Sequence, residues 1–217
     1  MPAPGVRAHV RQTARVAIDE LDLLDYKRRV LGLYARAREA ASDPAAAFAD
    51  WVAGRDELFA HHPQSALAPG PRSSFDGLAY FPYDPAARVL GEVTPAPRRR
   101  YDVPSSDGST MSFDRVAEVS FVLGAEPCAL ELYWLAGYGG GLFLPFGDTT
   151  NGDETYGAGR YLLDTVKGAD LGTRDGHLVL DFNFSYNPSC SYDPRWVCPL
   201  APPGNRLAVP VHGGERL

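Results

Sequence analysis

The sequence predicts a mainly β protein: an antiparallel β-sandwich or barrel of about eight or nine strands, with an N-terminal pair of α-helices. Up to residue 63, apolar residues recur at helical spacing, and beyond residue 75 they alternate in short runs. The 22 glycines and 19 prolines add many turns, and no helical pattern separates the strands. We therefore divide the chain into a helical segment, 1–63, packing on the core, and an antiparallel β-domain, 75–217.

Two helices are predicted in the first segment. The first has apolar residues that share one face, and it should end near Ala41: Leu23, Tyr26, Val30, Leu33 and Ala37. The second should begin at Asp43, a capping residue, and Pro44, and it should stop before Pro63. Its apolar face carries Arg55. We expect Arg55 to pair with Asp56 or to reach the β-domain near the mouth of a site.

Short alternating segments predict the strands of the β-domain. They lie at 78–81, 88–94, 101–103, 110–113, 116–123, 130–134, 142–146, 160–164, 178–183 and 207–211. Asp107-Gly108 is a hairpin signal between two of them. Pro210 indicates that the last strand lies at an edge, because proline has no amide hydrogen.

Composition excludes several function classes. The net charge of -6 gives a surface that repels phosphate backbones, so we expect no nucleic-acid partner. There is no run of 18 apolar residues, no visible signal peptide and only three cysteines, which together indicate a cytoplasmic protein without a membrane partner. Metal-ligand and nucleophile motifs such as CxxC, HExxH and GxSxG are absent, so no metal or cofactor is predicted. The sequence contains no feature that predicts the oligomeric state.

Two blocks, 146–161 and 181–190, are crowded with acids, amides, tyrosines and glycines, and they predict a site. Asp181 and Asn183 are two residues apart on a predicted strand and should project from one face. They either line a polar cavity or tie down loop backbone. Arg160, after two glycines, either clamps an anionic ligand or forms a buried ion pair, with Asp148 among its possible partners.

The candidate site is larger than these residues. The predicted ligand-binding set is Arg160, Asp181, Asn183, Tyr156, Tyr186, Asn187 and Arg55. Asp148 and Asp181 are the candidates for acid–base catalysis, although no catalytic residue is assigned. Cys190 and Cys198 form either a disulfide or two buried thiols that hold their loop.

The chain resembles a family through several long motifs. These include Trp51 to Ser65, Phe75-Asp76-Gly77-Leu78-Ala79-Tyr80-Phe81-Pro82, the two blocks, Cys198-Pro199 and Asn205-Arg206-Leu207. On these residues it is similar to the domain of unknown function family 1684, uncharacterised bacterial and archaeal proteins. The Arg and Ala content is like that of actinobacterial members. The resemblance implies a shared constellation of residues and brings no known activity.

Three hypotheses follow for the function. The first is binding of a small polar or anionic metabolite in a pocket lined by Arg160, Asp181 and Asn183. The second is a hydrolase or lyase that uses Asp/Glu acid–base chemistry. The third is a structural or interaction scaffold without a ligand.

Overall fold

The computed structural model describes residues 19–137 and 139–217, so residues 1–18 of the predicted helical segment lie outside it. Helix α1 spans Asp19–Glu39, α2 spans Pro44–His61 and a short α3 spans Pro69–Arg72. The predicted start of α2 is confirmed: the Asp43 side chain accepts a hydrogen bond from the Ala46 amide at 3.1 Å, and Pro44 follows at the first helical position. None of the helices in the described ranges is long and apolar enough to cross a membrane.

Within the described residues, the strands form one antiparallel sheet of seven strands that does not close. Its order is β5-β4-β3-β2-β1-β7-β6. The bounds are β1 Arg88–Pro104, β2 Thr110–Leu123, β3 Glu126–Leu135, β4 Gly141–Phe146, β5 Arg160–Asp164, β6 Thr173–Arg174 and β7 His177–Asp181. The mainly β class with N-terminal helices is therefore confirmed, whereas a sandwich or barrel of eight or nine strands is not.

The strand count differs for three reasons: two predicted segments are irregular, two pairs of segments merge into β1 and β2, and the short strand β6 was not predicted. Segment 78–81 contributes only a bridge between Tyr80 and Glu215. In segment 207–211, the Leu207 amide donates to the Gly147 carbonyl and the Val211 amide to the Asp148 carboxylate. Because these amides donate to isolated partners, segment 207–211 does not form a strand of the sheet. The segments flanking Asp107-Gly108 extend into the long β1–β2 hairpin, where Gly108 has a φ of 82°.

Two groups of apolar residues form the core, one on each side of the sheet. The first lies under α1 and α2 and includes Tyr34, Trp51 and Phe184. The second includes Phe146 and Phe182 on the other side. The chain after β7 thus passes from the second group to the first within three residues, which brings the following residues beneath the helices.

The segment after β7 is fixed there by a bridge to β5. The Tyr161 amide donates to the Tyr186 carbonyl at 2.9 Å, and the Tyr186 amide donates to the Tyr161 carbonyl at 3.1 Å. This bridge sets the position of Tyr186 and Asn187 relative to the two helices.

Candidate functional site

Arg160 lies in a buried ion pair. Its Nη2 donates to Asp148 Oδ2 at 2.9 Å and to the Val211 carbonyl at 2.9 Å, while Nη1 donates to the carbonyls of Gly213 and Glu215. Both charged side chains are fully buried, and burial lowers the pKa of the guanidinium although Asp148 opposes the shift. The arrangement is the buried-ion-pair alternative: Arg160 joins β5 to the segment 211–215.

Gly159 allows β5 to begin directly beside β4. Its φ is 91°, and a Cβ atom there would lie 2.5 Å from the Phe146 carbonyl oxygen. Any side chain at this position would therefore push the two strands apart just before Arg160. The glycine serves strand packing here.

The prediction that Asp181 and Asn183 share one strand face is wrong. Strand β7 ends at Asp181, whose side chain accepts from the Asn183 amide at 3.1 Å and starts a single 3₁₀ turn over Phe182–Phe184. Asn183 then makes two hydrogen bonds with the backbone of Asp84, at 2.8 and 2.9 Å. Asp181 also accepts from Arg88 Nη1 at 2.9 Å, and burial raises the pKa of its carboxyl. Both side chains tie down loop backbone.

Tyr156 and the two cysteines form a separate group. The Tyr156 hydroxyl lies 4.0 Å from Cys190 Sγ, and the Cys190 amide donates to Cys198 Sγ at 3.4 Å. All three cysteines of the chain are free thiols. Cys190 and Cys198 therefore form no disulfide in the structure and are two thiols in one loop. Cys198 is buried and Cys190 is partly exposed.

A cavity of about 200 Å³ lies between α1, α2 and the segment that follows β7. Six aromatic side chains line it: Tyr26, Tyr34, Trp51, Phe59, Tyr186 and Trp196. Of the predicted ligand-binding residues, Arg55, Tyr186 and Asn187 line this cavity. Arg160, Asp181, Asn183 and Tyr156 are not among the residues that line it, so the structure divides the predicted site into a cavity and supporting networks.

Arg55 lies at the wall of the cavity within a cage of aromatic rings. Its guanidinium carbon is 4.9 Å from the ring centre of Trp51, 5.3 Å from that of Phe59 and 5.1 Å from that of Tyr186. Its Nη2 donates to Glu215 Oε2 at 2.8 Å. This contact confirms the prediction that Arg55 reaches across to the β-domain.

Glu215 is the buried counter-ion of Arg55. It also accepts from the Asn187 amide at 3.0 Å, so one carboxylate holds both α2 and the segment after β7. Burial raises the pKa of Glu215 to about 6, against the attraction of Arg55. The alternative partner, Asp56, is used elsewhere and accepts from the Leu78 amide at 3.0 Å.

Four buried polar atoms of the lining residues make no well-formed hydrogen bond within the described residues. They are the Tyr34 hydroxyl, the Trp51 indole nitrogen, the Tyr186 hydroxyl and Asn187 Oδ1. The Trp51 indole and the Tyr34 hydroxyl interact weakly with each other. All four atoms are enclosed by neighbouring protein atoms, so they belong to the wall of the cavity and are not exposed to its space.

Sequence reasoning missed Tyr34 and Trp51 as site residues. Tyr34 neighbours the apolar face of α1, and Trp51 lies beside the apolar face of α2. Large aromatic residues on such helices usually form core, which these two also do. The one available signal was the charge of Arg55, which lies on α2 with Trp51; nothing in the sequence marked Tyr34 on α1.

Comparison with known proteins places the chain in a family. The family model described as protein of unknown function (DUF1684) matches residues 73–216. The solution NMR structure of an uncharacterized protein from Haloarcula marismortui is 36% identical, with a TM-score of 0.59, over 82% of this chain and 97% of that one. No curated protein matches the chain. Since the model covers more than half of the chain, the protein belongs to the DUF1684 family.

Proposed function

We propose that the protein binds a small molecule in the cavity between its helices and its sheet. The single observation that carries this proposal is the cavity of about 200 Å³ that aromatic side chains and Arg55 line. Protein interiors are close-packed, with few voids larger than a water molecule. A ligand that fills this space restores the packing contacts that the free protein lacks there.

The cavity also has the composition of a ligand site. Binding pockets are largely apolar, with a few polar groups that fix orientation. Here the aromatic wall supplies the apolar surface, while the Arg55–Glu215 pair supplies the charged groups. The acidic net charge of -6 supports a partner other than nucleic acid.

The predicted site residues outside the cavity receive a supporting role in this proposal. Arg160 donates to the Glu215 carbonyl at 3.2 Å, and the Glu215 side chain in turn holds Arg55 and Asn187. Arg160 therefore positions the cavity wall without lining it. In the same proposal helices α1 and α2 act as a cover over the β-domain.

Tryptophan fluorescence and thermal shift test the proposal. Trp51 and Trp196 line the cavity whereas Trp134 does not, so a bound molecule should change the emission of two of the three tryptophans. A metabolite library screened by thermal shift should yield compounds that raise the Tm and change this emission.

A matched pair of variants separates the cavity from other surfaces. Val30→Phe adds a ring toward the cavity that Val30 lines, whereas Leu31→Phe adds the same ring at a neighbouring side chain that is 49% exposed. Val30→Phe should abolish the ligand-induced shift, and Leu31→Phe should leave it intact. The proposal fails if the library yields no binder, or if its binders stabilise both variants equally; in that case the scaffold hypothesis stands.

A further inference from the structure

We infer that the cavity takes an apolar molecule with one anionic group, whose apolar part lies inside and whose anion lies at the rim beside Lys27 and Lys167; this rests on the proposed function. Three observations carry the inference. They are the division of the lining into a buried end and an exposed rim, the places of the charged residues along it, and the extent to which the protein already neutralises each charge.

The lining of the cavity divides into a buried end and a rim that reaches the surface. At the buried end, Trp51 is 1% exposed and Leu58 is 3% exposed. At the rim, Leu23 is 41% exposed and Val197 is 47% exposed. A molecule bound here therefore has one end enclosed by aromatic and aliphatic side chains and the other end at solvent. The enclosed end favours an apolar group, because removal of apolar surface from water is favourable.

The rim is positively charged, although the chain has 27 acidic and 21 basic residues. The charged residues of the described lining are all cations: Lys27, Arg55 and Lys167. The two lysines lie at the rim, since the Lys167 side chain is 43% exposed and Lys27 is half-buried. Lysine methylene groups cover apolar surface while the ammonium stays near water. The rim thus presents positive charge next to an apolar interior, and such a lining attracts an anion.

Arg55 is already neutralised and is therefore not the place for this anion. Its guanidinium donates to Glu215 at 2.8 Å and lies against three aromatic rings. An anion bound there would bring a second negative charge beside the buried Glu215 carboxylate, and like charges at close range repel.

The two lysines retain more of their charge. Lys167 has Asp164 only at 3.8 Å, and Lys27 forms no ion pair within the described residues. Burial raises the pKa of the Cys198 thiol, and the positive charge of Lys167 opposes that shift. Because Cys198 is a buried residue of the lining, the charge of Lys167 acts on the interior of the cavity.

One positive charge of the described lining is left without a partner. Two of its three cations are paired with acids, Arg55 with Glu215 and Lys167 with Asp164, and the third is Lys27. A ligand with a single negative charge balances Lys27. This favours a carboxylate over a phosphate monoester, which carries about −1.5 to −2 charges at pH 7.

Calorimetric titration of the full chain with two matched sets of probes tests the inference. One set is octanoate, octan-1-ol and octylamine, and the other is 4-phenylbutanoate, 4-phenylbutan-1-ol and 4-phenylbutylamine. Within each set the apolar part is constant, and the head group is anionic, neutral or cationic at pH 7.

In at least one set we expect the carboxylate to bind about fivefold more tightly than the alcohol, which is the size of one partly exposed ion pair. The amine should bind more weakly than the alcohol. Added salt should weaken binding of the carboxylate and not that of the alcohol. Acetate, which has the charge without the apolar part, should not bind.

A matched set of variants tests the lysines. Lys27→Gln should reduce the preference for the carboxylate over the alcohol to less than twofold without changing the affinity for the alcohol, and Lys27→Arg should retain the preference. Lys167→Gln should reduce it by a smaller amount, because Asp164 lies near that ammonium. Arg28→Gln removes a cation from the adjacent exposed position of α1 and should leave all affinities unchanged.

The outcomes separate this inference from the proposed function. Equal affinity for carboxylate and alcohol, tighter binding of the amine, or a preference that Lys27→Gln leaves intact overturns the anionic assignment. Acetate that binds as tightly as octanoate overturns the apolar one. Binding of no member of either set overturns the whole inference, whereas the proposed function is decided by the library screen and the Val30→Phe variant.

Discussion

The buried carboxyl of Glu215 makes stability depend on pH in a defined direction. Burial raises its pKa from 4.5 to about 6, which means that the folded protein binds a proton more tightly than the unfolded chain does. Glu215 therefore contributes stability that is fully present below pH 4.5 and is lost as the pH rises through about 6. A shift of about 1.5 units at about 1.36 kcal/mol per unit gives about 2 kcal/mol.

The perturbation that tests this reasoning is Glu215→Gln, which resembles the protonated acid and does not ionise. We would measure urea unfolding of the native protein and the variant from pH 4 to pH 8, and take the difference in free energy of unfolding at each pH. Relative to the variant, the native protein should lose about 2 kcal/mol between pH 4.5 and about pH 7. Taking the difference cancels the contribution of the other carboxyls.

Glu154→Gln is the control variant, because it makes the same chemical change at a side chain that is 45% exposed. If the native and Glu215→Gln profiles run parallel, the carboxyl is not perturbed by burial. If the native protein gains stability relative to the variant as the pH rises, Arg55 outweighs burial and the reasoning is refuted.

Three further predictions concern the ion pair, the Tyr34 hydroxyl and the thiols. Arg160→Met should lower the free energy of unfolding by about 3–5 kcal/mol in urea denaturation, because it leaves Asp148 buried without its counter-ion; a loss below 1 kcal/mol would contradict this. Tyr34→Phe should cost less than Tyr133→Phe, because the Tyr34 hydroxyl has only a weak contact with the Trp51 indole, whereas the Tyr133 hydroxyl donates to a glutamate at 2.7 Å and its loss should cost about 1 kcal/mol; equal losses would contradict the assignment. Thiol titration of the urea-unfolded, unreduced protein should count three thiols, and a count of one would indicate a disulfide; in the native protein, buried Cys198 should react slowly.

Features that depend on residues close together in the sequence were predicted correctly, because the interactions that form them involve only those residues. The capping of α2 by Asp43 depends on one side chain and an amide three residues away. The bounds of β5, Arg160–Asp164, also match the prediction, since an apolar run between a glycine and a turn leaves little choice. The hairpin at Gly108 follows equally from one dipeptide.

The site was predicted only in part because it depends on contacts that are distant in sequence. Apolar and polar residues continue to alternate through Phe182, so the pattern predicts a longer strand than β7. The strand ends at Asp181 because this side chain caps the next turn. The lining of the cavity comes from both helices and from the segments after α2, β5 and β7, so no single stretch of sequence contains it. Arg55 was identified because a charge on an apolar helix face stands out, whereas Tyr34 did not.

The ion pair between Arg55 and Glu215 joins positions 160 residues apart. Helix α2 can form as soon as its own residues are available, but its arginine has no counter-ion until the C-terminal segment has docked under Arg160. Closing so long a loop is entropically costly and contributes to slow folding. The contact between α2 and the C-terminal segment is therefore completed only when the segment that carries Glu215 is in place.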